Sequence, residues 1–286
     1  VIPLPSFCPK LTSSQGNNSS VVSMHELFLA SHIANEDLSR TVRILQGYCG
    51  MKPVSLLQRR LMFEGPRART NLKGIDQGFV ARQPQPLNSL WMTLHQQLVR
   101  QSYILTLIYD VGPDDFGQVE IDGGEEKPIL ECDQLPGSLR FSDQPDPAGS
   151  RPVNTRQIIN IDEQRGLCSI LQSNGHRFTR EIVQESYRFI HNNVIFELSR
   201  YLQLPEDAGN KAQPKITTNL PPFQTLISFD PENKWILMAS VRVNNGNDPD
   251  QMQQGIGELT SVKSEFEGCF DFHMVDRHTL DTRVKI

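Results

Sequence analysis

The sequence predicts an α+β fold in which a large, mainly antiparallel β-barrel is flanked by two main helices. Many short segments alternate apolar and polar residues, as strands do. Two segments have helical periodicity, one near each end of the chain, and neither half follows the regular βαβα series of a Rossmann-type sheet. The clearest hairpin has strands of about 11 residues, which suits a curled sheet or a barrel.

Composition narrows the class of protein. The 286 residues suit one large all-β domain or two ordinary ones. A net charge of −5 disfavours a dedicated nucleic-acid binder. No apolar run is long enough to predict a transmembrane helix. The five cysteines are odd in number and form no C-x-x-C pair. This spacing disfavours a disulfide framework and favours a reduced intracellular compartment.

We expect two regions along the chain. Residues 1–23 are rich in Pro, Ser, Asn and Gly and carry almost no charge, which predicts a disordered N-terminal extension. Residues 24–286 form the predicted single barrel domain. Within it, composition predicts mobile loops near 66–88, 112–137 and 205–222.

The first half of the domain contains three predicted strands and two predicted helices. Residues 25–30 alternate as a strand does. A helix follows over 35–49, where Asn35 suits the N-cap and Gly50 the end. Residues 55–65 form the next strand, 89–98 a short helix, and 103–110 a strand rich in β-branched and aromatic side chains.

In the second half, the pattern predicts two short strands at 138–143 and 154–161, followed by a helical turn near 167–171. The segments 177–190 and 193–204 are the two long strands of the hairpin.

The C-terminal part contains the strongest helix signal. Residues 225–230 and 234–243 have strand patterns. Asp248 and Pro249 are favourable N-cap and first-turn residues, and an apolar stripe follows them until Gly268. Residues 269–275 then alternate as a final strand does.

No catalytic, metal or cofactor motif is found in the chain. It has no dinucleotide-binding or phosphate-binding glycine loop and no nucleophile elbow. His273 and His278 are five residues apart, which does not match the spacing of a helical zinc site. We therefore predict no catalytic residue, no metal ligand and no cofactor.

An alternative reading is enzymatic. Glu181 and Glu185 share one face of a long strand and could line the barrel interior. Tunnel-type triphosphatases hold metal and polyphosphate with such acids, including a Glu-x-Glu pair in an early strand. The first strand here offers one acid, Glu26. A metal-dependent tunnel-type phosphohydrolase thus remains the alternative, and inward acids on at least three strands would favour it. An RNA-binding barrel would need exposed aromatic residues interleaved with Lys or Arg, a pattern that is not seen.

Five segments resemble one family. They are MHELFLASHI, LHQQLVRQSYILTL, GSLRFSDQPDP, EIVQESYRFIHNNVIFELSRYLQLP and FDFHMVDRHTLDTRV. They are similar to the fungal form of the Mediator complex subunit 18 family, over most of residues 24–286. The closing VDRHTLDTRV and the hairpin SYRFIHNNVIFEL are the most specific parts.

The resemblance implies a nuclear, non-catalytic protein of the Mediator head module. It also implies a large antiparallel barrel that is flanked by helices and is similar in shape to the triphosphatase tunnel folds. It implies a heterodimer with Mediator subunit 20 and binding of a helix at the C-terminus of Mediator subunit 8. Contacts with RNA polymerase II and initiation factors would come through the assembled complex. We expect no membrane contact and no direct sequence-specific nucleic-acid binding.

Two sets of residues are the candidate sites. Trp91, Phe229 and Trp235 are candidates for partner contact, because aromatic residues dominate interface energetics. Full burial of any of them within the domain would remove it from the docking surface. The second set matches the family's closing signature, and we expect it to tie the tail to the barrel by short-range ion pairs and backbone hydrogen bonds. Its members are Asp276, Arg277, Asp281 and Arg283.

Overall fold

The computed structural model describes residues 24–117, 132–147, 149, 151–205 and 214–285. Its centre is built from nine β-strands, all paired antiparallel. The strands are β1 (His25–Ile33), β2 (Val54–Glu64), β3 (Ile104–Asp110), β4 (Gly137–Ser142), β5 (Asn154–Gln164), β6 (Arg177–His191), β7 (Val194–Gln203), β8 (Ile227–Ser228) and β9 (Trp235–Val243).

Eight of these strands close into a barrel. Their order is β6-β2-β3-β4-β5-β1-β9-β7, and β7 pairs back with β6. The short strand β8 extends the sheet from β7. The predicted antiparallel barrel is therefore confirmed, and closure leaves β8 as a short exposed edge.

Five α-helices accompany the barrel in the residues that the structure describes. They are α1 (Leu38–Cys49), α2 (Gln77–Ala81), α3 (Leu87–Leu98), α4 (Leu167–Ser173) and α5 (Pro249–Glu265). The two main helices predicted near the two ends of the chain are present as α1 and α5. The helix predicted at 89–98 is also present as α3, and it is as long as α1, with 12 residues.

The helices cover apolar side chains on the outside of the barrel. Helices α1 and α5 pack against the part of the wall that contains β1, β6, β7 and β9, and α3 packs against β5. Helices α2 and α4 complete a second outer core over β2 to β5. Burying the stripe of α5 contributes roughly 10 kcal/mol of gross transfer free energy before chain entropy is subtracted. The stripe consists of Met252, Ile256, Leu259, Val262 and Phe266.

Because side chains alternate along a strand, the other face of each strand points into the lumen. On β1, Leu27 lies against α5, where a Cβ at Gly255 would come within 2.6 Å of its Cδ1 atom. Its neighbours Glu26 and Phe28 therefore point inward. The outer face of this barrel is its main hydrophobic core, and the lumen carries many of its polar side chains.

The predicted hairpin is confirmed. Strands β6 and β7 pair in register from Ile182 opposite Gln203 to His191 opposite Val194. Asn192 in the turn has a φ of 54°, in the left-handed region that Asn tolerates better than most residues.

The strand predicted at 269–275 is wrong. This segment forms one isolated bridge, in which Ala30 N lies 3.0 Å from His273 O and His273 N lies 2.9 Å from Ala30 O. Strand β5 pairs with β1 only as far as Phe28. The segment 269–275 therefore lies beside the short stretch of the β1 edge that follows Phe28. The free edge is too short to support a regular strand.

Several predictions concern the loops and the N-terminus. The predicted extension 1–23 lies outside the described residues, as do 118–131 and 206–213 of the predicted loops. Residues 66–88 contain α2 and the start of α3, so this region holds more regular structure than predicted. The mobility of the three loops stays a prediction. No helix in the described part of the chain has the length and apolar character needed to span a bilayer.

Candidate partner-binding surface and the barrel lumen

The lumen contains a buried carboxylate held by two arginines from other strands. Arg140 Nη2 on β4 lies 2.9 Å from both carboxylate oxygens of Glu26, and Arg156 Nε on β5 lies 2.8 Å from Oε2. Glu26 is 1% exposed. Burial opposes its ionisation, but the charges and hydrogen bonds of Arg140 and Arg156 outweigh burial and lower the pKa of Glu26 to about 2.

A second carboxylate is engaged in the same way across the β6–β7 hairpin. Glu197 accepts a hydrogen bond of 2.9 Å from Gln184 Nε2 and one of 2.7 Å from Arg188 Nη2. Burial acts to raise its pKa, and the charges of Arg188 and Arg60 more than offset this, so the pKa is lowered. Both lumen glutamates thus already have cationic partners. Among the described residues, no group of three or more His, Cys, Asp or Glu is placed to hold a metal ion.

Glu181 and Glu185 share one face of β6 as predicted, but that face is the outside of the barrel. Glu181 Oε1 lies 2.6 Å from Arg59 Nε, and Oε2 accepts a hydrogen bond of 2.9 Å from Thr217 N. Glu185 pairs with Arg200 of β7 at 2.8 Å. The expectation that these two acids line the interior is therefore wrong. The even-numbered residues of β6, such as Gln184 and Arg188, point inward.

Two of the three predicted docking aromatics lie in the core. Trp91 is fully buried, and its ring meets that of Phe79 edge-on at 5.1 Å. Trp235 is 1% exposed, and its Nε1 donates a hydrogen bond to Asn35 Oδ1 at 3.1 Å. By the burial criterion, Trp91 and Trp235 are removed from the docking surface, since each fills space between a helix and the barrel wall.

Phe229 remains a candidate for partner contact. It follows β8 and is 52% exposed, close to Ile227, which is 53% exposed. The guanidinium of Arg180 lies 5.4 Å from the centre of the Phe229 ring. We call Arg180, Ile227 and Phe229 the β8 edge patch. It combines exposed apolar surface, a cation and a strand that, in the described chain, pairs with β7 alone.

The tail signature contacts the barrel mainly through its backbone. Ile104 N donates to Thr282 O at 2.7 Å, and Val284 N donates to Ser102 O at 2.8 Å. Asp281 accepts two hydrogen bonds of 2.8 Å from the Arg283 guanidinium. This geometry has the backbone hydrogen bonds and the short-range ion pair that we expect of a tail tied to the barrel.

The first half of the signature is arranged differently. Asp276 accepts a hydrogen bond of 3.0 Å from His278 N and so caps a short helical turn. Arg277 Nη2 donates to Gln144 Oε1 at 2.6 Å, which connects the tail to the segment after β4. Within the described chain, no ion pair or hydrogen bond joins Asp276 to Arg277. Their contribution to stability stays a prediction.

Comparison with known proteins identifies the family. The family model described as "Med18 protein" matches residues 25–283. The "Mediator of RNA polymerase II transcription subunit 18" of Aspergillus oryzae is 24% identical over 282 residues, which cover 92% of this chain and 100% of that relative. The protein of the same name from Aspergillus niger is 26% identical over 280 residues, with the same two coverages.

A solved structure shares the fold. A chain in the structure of the Schizosaccharomyces pombe Mediator head module superposes with a TM-score of 0.58 and 14% identity, covering 88% of this chain and 98% of that one. The family model spans the barrel from β1 to the tail that closes it. On this match, the chain belongs to the Med18 family.

Proposed function

We propose that this chain is a non-catalytic subunit of the Mediator coactivator complex in the nucleus. In this role it binds other head-module subunits and helps to couple transcription regulators to RNA polymerase II. The observation that carries the proposal is the family match over residues 25–283, which includes the whole barrel and its tail.

The state of the lumen carboxylates supports a binding role over an enzymatic one. A metal-dependent phosphohydrolase needs carboxylate oxygens free to coordinate a divalent cation. Glu26 is held by Arg140 and Arg156, and Glu197 by Arg188. Releasing Glu26 to a metal ion would leave Arg140 and Arg156, whose side chains are 18% and 12% exposed, without their carboxylate partner, which is costly.

We assign the β8 edge patch to contact with a head-module partner. A short strand with a free edge can accept a strand from another chain, and exposed apolar side chains beside it supply buried area. Ile227 and Phe229 are each more than half exposed, so burying both on assembly is favourable. The proposed partners are Mediator subunit 20, in a heterodimer, and the C-terminal helix of Mediator subunit 8.

Co-expression tests the proposal. The full chain is expressed with tagged Mediator subunits 20 and 8 of the same organism, and the affinity eluate is separated by size-exclusion chromatography. We expect one peak that contains all three chains. Elution of this chain alone, in a folded state by circular dichroism, would contradict the proposal.

The phosphohydrolase alternative has its own assay. The purified chain is incubated with manganese and a nucleoside triphosphate, and phosphate release is measured. We expect release at the rate of the buffer blank. Release that the Glu26→Gln variant abolishes would establish the alternative instead.

A further inference from the structure

Two histidines from opposite ends of the chain lie side by side at the end of β1. The imidazole rings of His32 and His273 have centres 6.0 Å apart, and their planes are inclined by 33°. His32 is exposed and His273 is half-buried. We call them the histidine pair. The partner of His273 is therefore a residue of the first strand, which the local spacing of His273 and His278 does not indicate.

The backbone holds the two side chains on one face. Ala30 and His273 are opposite each other in an antiparallel bridge with hydrogen bonds of 3.0 and 2.9 Å. Opposite residues share a face, and His32 is two residues from Ala30 along β1, so the two imidazoles share it as well. On its other edge β1 pairs with β9 as far as Ile33 opposite Trp235. His32 therefore lies in a regular strand with a fixed position relative to His273.

A hydrogen bond determines which nitrogen of His273 can bind a ligand. Its Nδ1 lies 2.9 Å from Asp271 O. Because a carbonyl oxygen only accepts, Nδ1 carries the proton and the lone pair of the neutral ring is on Nε2. Metal-binding histidines are commonly oriented by such a bond from the other ring nitrogen to a backbone carbonyl. The ring of His32 makes no hydrogen bond in the described chain, so it can turn towards the same point.

The separation of the two rings fits one shared metal ion. Two imidazoles that bind a zinc ion at about 2.0–2.1 Å, with an angle of about 110–140° at the metal, have ring centres roughly 5–6 Å apart. The observed 6.0 Å lies at the upper end of this range. Imidazole nitrogen suits zinc, copper and nickel, whereas magnesium and calcium take oxygen ligands. The pair therefore favours a transition-metal ion.

The surroundings of the pair leave the rest of the coordination sphere open. Across β9, the residues opposite His32 and Ala30 are Ile236 and Met238, which carry no charge that would repel a cation. Among the described residues, no group of three or more His, Cys, Asp or Glu is placed to hold a metal ion. Two protein ligands leave the other positions of a tetrahedral ion to water. Such a site is weaker than a structural zinc site with four protein ligands.

We propose that His32 and His273 bind a divalent transition-metal ion of the zinc class at the end of β1. The site contains neither the lumen carboxylates nor the β8 edge patch. His32 is six residues from Glu26 along β1, which is about 20 Å in an extended strand. The site is therefore independent of the proposed assembly role, and the failure of one does not entail the failure of the other.

Calorimetry tests the site on the full chain without a polyhistidine tag, with zinc chloride as the probe and magnesium chloride as the reference. We expect saturable zinc binding at the histidine pair and none for magnesium. His32→Ala is the deciding variant, because His32 is exposed and its ring makes no hydrogen bond in the described chain. We expect zinc affinity at this site to fall about tenfold or more in His32→Ala and in His273→Ala, since each loses one of two protein ligands.

His278→Ala is the matched control, since His278 is an exposed histidine of the same C-terminal segment. We expect it to bind zinc as the wild type does, and circular dichroism verifies that each variant is folded. Zinc should also raise the melting temperature of the wild type and of His278→Ala more than that of His32→Ala, because binding to the folded state stabilises it.

Absence of saturable zinc binding by the wild type would overturn the proposal. Zinc binding by His32→Ala with the affinity of the wild type would overturn it as well, because the ion would then bind elsewhere. An equal loss in His278→Ala and His32→Ala would show that zinc binds exposed histidines without selecting this pair, which also contradicts the proposal.

Discussion

Arg59 Nε lies 2.6 Å from Glu181 Oε1 in an ion pair enclosed on the outside of the barrel, where the two side chains are 0% and 5% exposed. Arg59 also donates to Thr217 O at 2.5 Å, and Thr217 N donates to Glu181 Oε2 at 2.9 Å. The pair therefore joins β2 to β6 and holds the segment around Thr217 against the wall.

Removing one partner of this pair should destabilise the fold strongly. Glu181→Leu leaves the Arg59 charge buried and uncompensated, and we expect the free energy of unfolding to fall by about 3–5 kcal/mol in urea denaturation. Arg67→Met, which removes an exposed pair with Glu64, is the control and should cost about 0–1 kcal/mol. Equal costs for the two variants would show that the Arg59–Glu181 pair is open to solvent.

Two glycines of α5 provide a matched test of helix packing. A Cβ at Gly255 would lie 2.6 Å from Leu27 Cδ1 and 3.2 Å from Val241 Cγ1, whereas a Cβ at Gly257 meets nothing within 4 Å. We expect Gly257→Ala to stabilise the chain by about 0.5–1 kcal/mol through helix propensity. We expect Gly255→Ala to destabilise it by about 1–3 kcal/mol through overpacking. Thermal unfolding of the two variants measures both changes in stability. A Gly255→Ala variant that is more stable than the wild type would disprove the close packing of α5 on β1.

The lowered pKa of Glu26 predicts a pH effect of definite sign. Its carboxylate is more acidic in the folded state, at about 2, than its ordinary value of 4.5. The stability that it contributes is therefore present above about pH 4.5 and is lost as the pH falls towards 2. The wild type should exceed Glu26→Gln in stability at pH 7, and this advantage should shrink by about 3 kcal/mol by pH 2. Denaturation across this pH range measures it.

Glu36→Gln on the exposed turn before α1 is the control for that series. Because Glu36 is exposed, we expect this variant and the wild type to differ in stability by less than about 0.5 kcal/mol at pH 7. A constant offset between the wild type and Glu26→Gln from pH 7 to pH 2 would mean that Arg140 and Arg156 do not hold this carboxylate in solution.

The tail contacts predict which pairs of residues are coupled. Arg277 hydrogen-bonds to Gln144, and Asp276 and Arg277 do not contact each other through their side chains. A double-mutant cycle between Arg277→Ala and Gln144→Ala should give a coupling of about 1–2 kcal/mol. The cycle between Asp276→Ala and Arg277→Ala should give about zero within error. The reverse order of the two coupling energies would refute this arrangement of the tail.

The β8 edge patch predicts a loss of assembly without a loss of stability. Phe229 is half exposed, so Phe229→Asp should change the free energy of unfolding by less than about 0.5 kcal/mol. If Mediator subunit 20 or 8 covers it, the same change should reduce co-elution with that subunit at least tenfold, because an interface core does not accommodate an unpaired charge. Asp114→Asn, on an exposed turn elsewhere, is the control. Unchanged co-elution of Phe229→Asp with both subunits would place the interface on another surface.

Much of the fold follows from local patterns. The β6–β7 hairpin follows from two-residue alternation around a turn at Asn192, and α5 from the N-cap Asp248, whose side chain accepts from Asp250 N and Gln251 N. These features depend on neighbours in the chain, so the sequence displays them directly. The prediction of a strand at 269–275 is wrong for a non-local reason, because strand formation there depends on the free edge that β1 leaves.

The site was harder to predict, because alternation separates two faces of a strand without showing which one faces the lumen. Alternation correctly places Glu181 and Glu185 on one face of β6. Helices and loops around the barrel cover that face, so it is the outer face of the barrel. The lumen network joins Glu26 to Arg140 and Arg156 across 114 and 130 residues of chain. No local pattern displays such a contact. The burial of Trp91 and Trp235 likewise depends on how helices meet the barrel.

Quantitative mass spectrometry of the complex purified through this chain tests the central claim most directly. The tagged full-length chain is recovered from nuclei of its own organism under non-denaturing conditions. We predict that Mediator subunits 20 and 8 are recovered in amounts equal to this chain. We also predict that both subunits are lost together from a purification in which the tagged chain is omitted. Recovery of the folded chain without either subunit would contradict its assignment as a head-module component.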